Sequence, residues 1–213
     1  MKRPKVFGIG FPKTGTSSLG RALQILGYRV QRGVNINRPG RPWVEPPVTR
    51  EKLAALALPR CGEYDAFEDF PWMALYREAD EAFPGSKFIL TVRDPDAWQG
   101  SVKRHFPEIN VAPLLFLCGT DGPTAAHSRF LEAYHAHNEA VRNYFRGREE
   151  DLLVWDVDRA DWPGLCDFLG RRRPLLRSYP HANRAAMREW RHTLKTRGMW
   201  AALRRAVAGG GSG

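Results

Sequence analysis

The 213-residue sequence has few cysteines, no long apolar run and, over most of its length, no excess charge of either sign. Its three cysteines lie far apart, so they form neither a disulfide framework nor the CxxC pairs of a structural zinc site. No run approaches the roughly 18 apolar residues of a membrane-spanning helix. The N-terminus, Met1–Pro4, lacks the apolar stretch of a signal peptide, and we therefore expect a cytoplasmic protein.

The net charge of +10 is concentrated at one end of the chain. Residues 1–170 contain 22 basic and 22 acidic side chains, whereas residues 171–205 contain 11 basic side chains and a single acidic one, Glu189. This distribution argues against a uniformly basic nucleic-acid-binding protein. Residues 184–208 are predicted to form a basic helical segment, either in peripheral contact with an anionic membrane or docked on the core. Residues 209–213 (GGGSG) are typical of a flexible tail or an artificial linker.

Strand-like and helix-like patterns alternate along the chain, which predicts right-handed crossovers and a parallel sheet. We therefore expect an α/β fold, a three-layer α/β/α arrangement in a single domain over residues 1–208. The predicted strands are Lys5–Gly10, Tyr28–Gln31, Tyr64–Glu68, Lys87–Arg93 and Leu152–Val157. The predicted helices are Thr16–Leu26, Glu51–Leu58, Trp72–Phe83, Pro95–His105, Ala125–Phe145 and Trp162–Leu169, and Phe106–Gly122 is predicted to be irregular.

Residues Gly10–Ser18 (GFPKTGTSS) join the first predicted strand to the first predicted helix. The free N–H groups and the dipole of a helix N-terminus attract anions, and glycines let the backbone approach them. The loop is not a Walker A sequence, in which lysine follows the last glycine, nor a GxGxxG dinucleotide motif. A capped helix after a tight turn is the structural alternative. The pattern favours a phosphate or sulfate cradle, with Lys13 as the charge and hydroxyl donors at Thr14, Thr16, Ser17 and Ser18.

This loop resembles the 5′-phosphosulfate loop of sulfotransferases that use 3′-phosphoadenosine 5′-phosphosulfate (PAPS). A second feature of that family is an arginine at a strand end with a serine about two helical turns later, and Arg93 and Ser101 match it. From the residues alone, Arg93 could instead form a salt bridge with Asp94 or Asp96. The resemblance spans residues 5–183 and implies a P-loop NTPase-like fold. It also implies that Arg93 and Ser101 bind the 3′-phosphate, and that the 5′-phosphosulfate is bound by Lys13, Thr14, Gly15, Thr16, Ser17 and Ser18.

The resemblance further implies in-line transfer of a sulfuryl group from PAPS to a hydroxyl or amine, with adenosine 3′,5′-bisphosphate (PAP) as the product. Lys13 would neutralise the departing oxygen. No metal is expected, because no His/Cys cluster or carboxylate set has ligand spacing. The expected acceptor is a small molecule or a glycan, with no nucleic-acid partner. Two other functions stay open, a P-loop nucleotide kinase or NTPase and a non-catalytic nucleotide-binding module.

The acceptor must lose a proton, so a base is needed. Glu68 and Asp69 follow a predicted strand, at the edge where a parallel sheet binds its ligands. Acidic residues occupy the same place in several sulfotransferases that act on sugars, and we predict Asp69 as the base with Glu68 as its substitute. Asp69 could instead cap the following helix. His105, at the end of the helix after Arg93, is the rival base.

Overall fold

The computed structural model describes residues 3–34, 42, 44–45, 47–106, 112–119, 123–176 and 178–180. The side chains of residues 112–114 and 123–128 are excluded from this description. By its internal contacts the chain divides into two units, Met1–Pro180 and His181–Gly213, and every described residue belongs to the first. The predicted basic segment 184–208 and the tail 209–213 lie outside the described residues.

Five parallel strands form a single sheet in the order β2-β3-β1-β4-β5. The chain leaves β1 toward β2 on one side and later returns to β4 on the other side. The crevice beside the carboxyl end of β1 is therefore where such a fold binds ligands. The strands are β1 Val6–Gly8, β2 Val30–Arg32, β3 Ala66–Glu68, β4 Lys87–Val92 and β5 Leu152–Asp156.

Helices cover both faces of the sheet, which confirms the predicted three-layer α/β architecture. Alternate residues of the central strands enter two separate apolar clusters: Phe7 and Phe67 pack on one face, and Val6 and Ala66 on the other. The second cluster also contains Leu19 of the first helix. The α-helices are α1 Thr16–Ile25, α2 Arg50–Ala57, α3 Tyr76–Ala82, α4 Pro95–His105, α5 Ala112–Cys118, α6 Pro123–Tyr144 and α7 Trp162–Leu169, with short 3-10 turns at Leu58–Gly62 and Val157–Arg159.

Two predicted segments differ from the structure. The helix predicted from Trp72 begins at Tyr76, because Asp69 takes a left-handed backbone conformation and residues 69–74 form turns. Residues 112–118, predicted to be irregular, form α5. Proline is tolerated near a helix start, where its missing N–H would have no partner. Pro113 therefore does not prevent the apolar run that follows from being helical.

Candidate active site

The loop between β1 and α1 lies at the carboxyl edge of the sheet and can only be built with glycine at two positions. A Cβ atom at Gly10 would overlap the side chain of Thr91 at the end of β4. Gly15 has a φ of 92° and packs against Val157, so a side chain there would be both strained and obstructed. Lys13 also has a positive φ, 72°, which is uncommon for a residue with a Cβ atom. This loop is therefore tightly specified by its neighbours on β4 and after β5.

The first turn of α1 has no side-chain cap among the described residues. Gly15 is the N-cap residue, and the N–H groups of Thr16 and Ser17 lie too early in the helix to have an intrahelical acceptor. Thr16 and Ser18 are buried, whereas Ser17 and Lys13 are half-buried. An uncapped, glycine-led helix start beside a lysine has the chemistry of an anion site. The alternative of an ordinary capped helix does not fit this geometry.

Thr14 faces the interior of the fold. Its hydroxyl donates to the carbonyl oxygen of Phe11 at 2.6 Å and lies 2.6 Å from the hydroxyl of Thr91. Its side chain is fully buried. The structure thus uses the Thr14 hydroxyl to hold the loop against β4, although the sequence pattern groups it with the anion-binding hydroxyls.

The second predicted phosphate segment runs from the end of β4 into α4. Arg93 follows β4, and its backbone N–H and C=O both bond the hydroxyl of Tyr134, at 3.1 and 2.9 Å. Its guanidinium lies 3.7 Å from the carboxylate of Asp158. Its Nε is buried without a hydrogen-bond partner among the described residues. Asp94 instead caps α4, accepting from the N–H of Ala97, so the ion-pair partner of Arg93 comes from the distant segment after β5.

Two contacts join this segment to the loop. Thr91, two residues before Arg93, meets Thr14 as described above. The indole N–H of Trp98 on α4 donates to the carbonyl oxygen of Pro12 at 2.9 Å. Ser101 is half-buried and lies three residues after Trp98, nearly on the same face of α4. The structure therefore brings the two predicted phosphate-binding segments to one edge of the sheet, side by side.

Asp69 lies on the same edge, directly after β3. Burial raises the pKa of its carboxyl, while the N–H of Phe70, 2.9 Å away, and the charge of Lys13 act to lower it. The structure thus places Lys13 and Asp69 within electrostatic reach of each other. Asp69 does not cap α3, whose N-cap residue is Leu75.

Glu68, the last residue of β3, is only 2% exposed. Burial and the neighbouring charge of Asp69 raise the pKa of its carboxyl to about 8, against the opposing effects of Arg32 and the hydroxyl of Thr16. The nearest cation is the guanidinium of Arg32, 3.4 Å away. Glu68 is therefore directed toward α1, near Thr16 in its first turn and Gly20 one turn later.

His105 is the last residue of α4. That helix starts at the ligand edge and runs about 15 Å back along the sheet. The rival base is thus a helix length away from Arg93, whereas Asp69 is adjacent to the loop.

His137 on α6 is a part of the site that sequence reasoning missed. Its Nε2 lies 2.8 Å from the carbonyl oxygen of Ile9, directly before the loop, and its ring stacks on Phe11. Burial lowers the pKa of this imidazole to about 4, so it is neutral near pH 7 and Nε2 carries the donated proton. A sequence signal existed: His137 occupies the apolar stripe of α6 between Tyr134 and Val141.

Within the described part of the chain, no group of three His, Cys, Asp or Glu side chains is arranged to hold a metal ion. No helix of that part has both the length and the apolar character needed to cross a membrane.

Comparison with known proteins agrees with this geometry. The family model described as "Sulfotransferase domain" matches residues 5–130 and 115–188 of the chain. A curated relative, Ava biosynthesis cluster protein M of Aspergillus versicolor, is 26% identical to this chain where the two align. That alignment covers 83% of this chain and 80% of the relative.

Proposed function

Because the chain belongs to the sulfotransferase domain family, we propose that it transfers a sulfuryl group from PAPS to a hydroxyl or amine of an acceptor. The observation that carries this proposal is the pairing of an uncapped α1 N-terminus beside Lys13 with the Arg93–Ser101 segment. The contacts Thr14–Thr91 and Trp98–Pro12 hold the two together. Two anion-binding segments fixed on one sheet edge suit a nucleotide with phosphate at both its 5′ and 3′ positions.

Each residue has a definite role in this reaction. The N–H groups of the first turn of α1, with Gly15, Thr16, Ser17 and Ser18, hold the phosphosulfate, and Thr14 fixes the loop from behind. Arg93 and Ser101 hold the 3′-phosphate, for which the planar guanidinium is well suited. Their preorganised charges stabilise the charge that develops during transfer without later rearrangement.

In the chemical step, the acceptor oxygen or nitrogen forms a bond to sulfur while the bond from sulfur to the bridging phosphate oxygen breaks. The electron pair of that bond leaves with PAP, and the charge of Lys13 stabilises it. Asp69 takes the acceptor proton. Its raised pKa makes it a stronger base than an exposed aspartate. No metal is needed for this step.

We propose a small molecule as the acceptor class. The relative from Aspergillus versicolor is named for a biosynthesis cluster, and this supports a small product of biosynthesis over a glycan. We further propose a cytoplasmic location and no nucleic-acid partner.

The test combines binding with turnover. PAP should raise the melting temperature of the protein, and ATP with Mg²⁺ should not. PAPS should be converted to PAP in the presence of a panel of phenols, alcohols and amines. Lys13→Ala and Asp69→Asn should lower that conversion by about 100-fold or more. Lys87→Ala and Asp65→Asn are the matched controls, because both residues lie at the opposite, amino edge of the sheet, Lys87 at the start of β4 and Asp65 directly before β3.

Two results would overturn the proposal. Stabilisation by ATP with Mg²⁺, but not by PAP, would indicate a nucleotide kinase or NTPase. Tight PAP binding without conversion of PAPS across the acceptor panel would indicate a non-catalytic binding module.

A further inference from the structure

The carboxyl of Glu68 is buried at the donor site and has no part in the chemistry above. Glu68 pairs in register with Gly8 of β1 on one side and Arg32 of β2 on the other. Along β3 it shares a sheet face with Ala66, which belongs to the apolar cluster beneath α1. The side chain therefore points into the layer between the sheet and α1, away from the acceptor.

The absence of a side chain at Gly20 makes the space that the Glu68 carboxyl fills. A Cβ atom on Gly20, in the interior of α1, would lie 2.6 Å from Oε1 and 2.9 Å from Cδ of Glu68. Glycine inside a helix normally makes the helix less stable than alanine would. Gly20 is thus the residue that admits the Glu68 carboxyl to α1.

The carboxyl lies close enough to the hydroxyl of Thr16, in the first turn of α1, for that hydroxyl to lower its pKa. Its Oε2 is buried and has no hydrogen-bond partner in the described part of the chain. Burying an ionised carboxylate oxygen without a hydrogen-bond partner costs free energy, and protonation of the carboxyl removes much of that cost. The charged groups that face it are Asp69 on its own segment, which disfavours the ionised form, and Arg32 on β2, which favours it.

We propose that Glu68 is a positioning residue that acts as a neutral carboxylic acid: it holds the anion-binding turn of α1 through Thr16 without placing a negative charge beneath the bound donor. This inference rests on the proposed function, since the anion concerned is the phosphosulfate end of PAPS. The raised pKa of about 8 agrees with the geometry, because it keeps the carboxyl protonated at pH 7. Above pH 8 the group ionises and repels the donor.

The experiment measures PAP affinity by calorimetric titration from pH 7 to 9, a range above the second pKa of about 6 of the PAP phosphates, so their charge changes little. Glu68→Ala should weaken PAP binding by about 10-fold at pH 7, because Thr16 loses its partner. Glu68→Gln should restore most of that affinity, because the amide fills the same space and also has no charge. The wild-type affinity should fall by about 10-fold between pH 7 and 9, whereas the affinity of Glu68→Gln should change much less.

Gly20→Ala provides a second, independent variant. We expect it to weaken PAP binding in the wild-type background, because the new methyl group displaces the Glu68 carboxyl. In the Glu68→Ala background, Gly20→Ala should cause no further loss of PAP affinity. Additive effects in this double-mutant cycle would contradict the contact.

Three other results would overturn the inference. Normal PAP binding by Glu68→Gln together with complete loss of turnover would identify Glu68 as the base. Equal pH dependence in wild type and Glu68→Gln would show that the charge of Glu68 does not act on the donor. An unchanged PAP affinity in Glu68→Ala would show that Glu68 does not position the first turn of α1. A wild-type protein that binds no PAP at all would instead contradict the proposed function itself.

Discussion

Replacing Glu68 by glutamine should change how the stability of the fold depends on pH. The pKa of this carboxyl is raised from 4.5 to about 8 by burial and by the charge of Asp69. Between these two values the unfolded chain releases a proton that the folded chain retains. Fewer protons are then bound in the unfolded state, so the free energy of unfolding falls as pH rises.

The magnitude follows from the two pKa values. Each pH unit inside this window changes the free energy of unfolding by about 1.4 kcal/mol, which amounts to about 2 kcal/mol between pH 6 and pH 8. By about pH 9 the carboxyl is largely ionised in both states, and little further loss comes from it. The side chain is only 2% exposed, so solvent screening does not reduce this value much.

The assay is urea unfolding of wild type and Glu68→Gln at half-unit steps from pH 5.5 to 9. We expect wild type to lose about 2 kcal/mol relative to the variant between pH 6 and 8, and the two curves to become parallel near pH 9. Glu63→Gln, at an exposed position before β3, controls for the substitution itself. A difference that stays flat over this range, or that rises with pH, would refute the claim that Glu68 is neutral in the folded protein.

Two further predictions concern the contacts that hold the loop. Trp98→Phe removes the hydrogen bond to the Pro12 carbonyl and should lower the free energy of unfolding by about 1–2 kcal/mol. Trp162→Phe is its matched control, because the indole nitrogen of Trp162 is buried without a hydrogen-bond partner in the described residues, and equal losses in both variants would speak against the Trp98 contact. Gly15→Ala places a Cβ atom at a φ of 92° and against Val157, so PAP affinity should fall by at least about 10-fold in a titration. An unchanged affinity would mean that the loop adapts.

Local signals explain why parts of the fold could be predicted from the sequence. The helices Pro95–His105 and Trp162–Leu169 have the predicted bounds. Each is preceded by an aspartate whose side chain caps it, Asp94 and Asp161, and carries a proline in its first turn. The predicted start of α3 was wrong. The true start depends on the left-handed backbone conformation of Asp69, and the neighbouring residues carry no sequence signal for that conformation.

Some features of the candidate site could likewise be predicted from the sequence, and others could not. The position of the loop beside Arg93 follows from the order of parallel strands, and this could be anticipated from the sequence. The inward orientation of the Thr14 side chain could not be predicted, because it depends on a contact with Thr91, which is far away in the chain. The pairing of Arg93 with Asp158 and the contact of His137 with Ile9 likewise join distant segments.

The central claim is that the α1 turn and the Arg93 segment bind opposite ends of one nucleotide. It is tested most directly by titrating wild type and Arg93→Ala with PAP and with AMP, which lacks the 3′-phosphate. Arg29→Ala, an exposed arginine paired with Asp65 at the other edge of the sheet, is the control.

We predict that Arg93→Ala weakens PAP binding by about 10- to 100-fold, as expected for loss of a charge-assisted contact, and leaves AMP affinity within about twofold. The preference of the protein for PAP over AMP should then largely disappear. Equal weakening of PAP and AMP, or no change in either, would contradict the account.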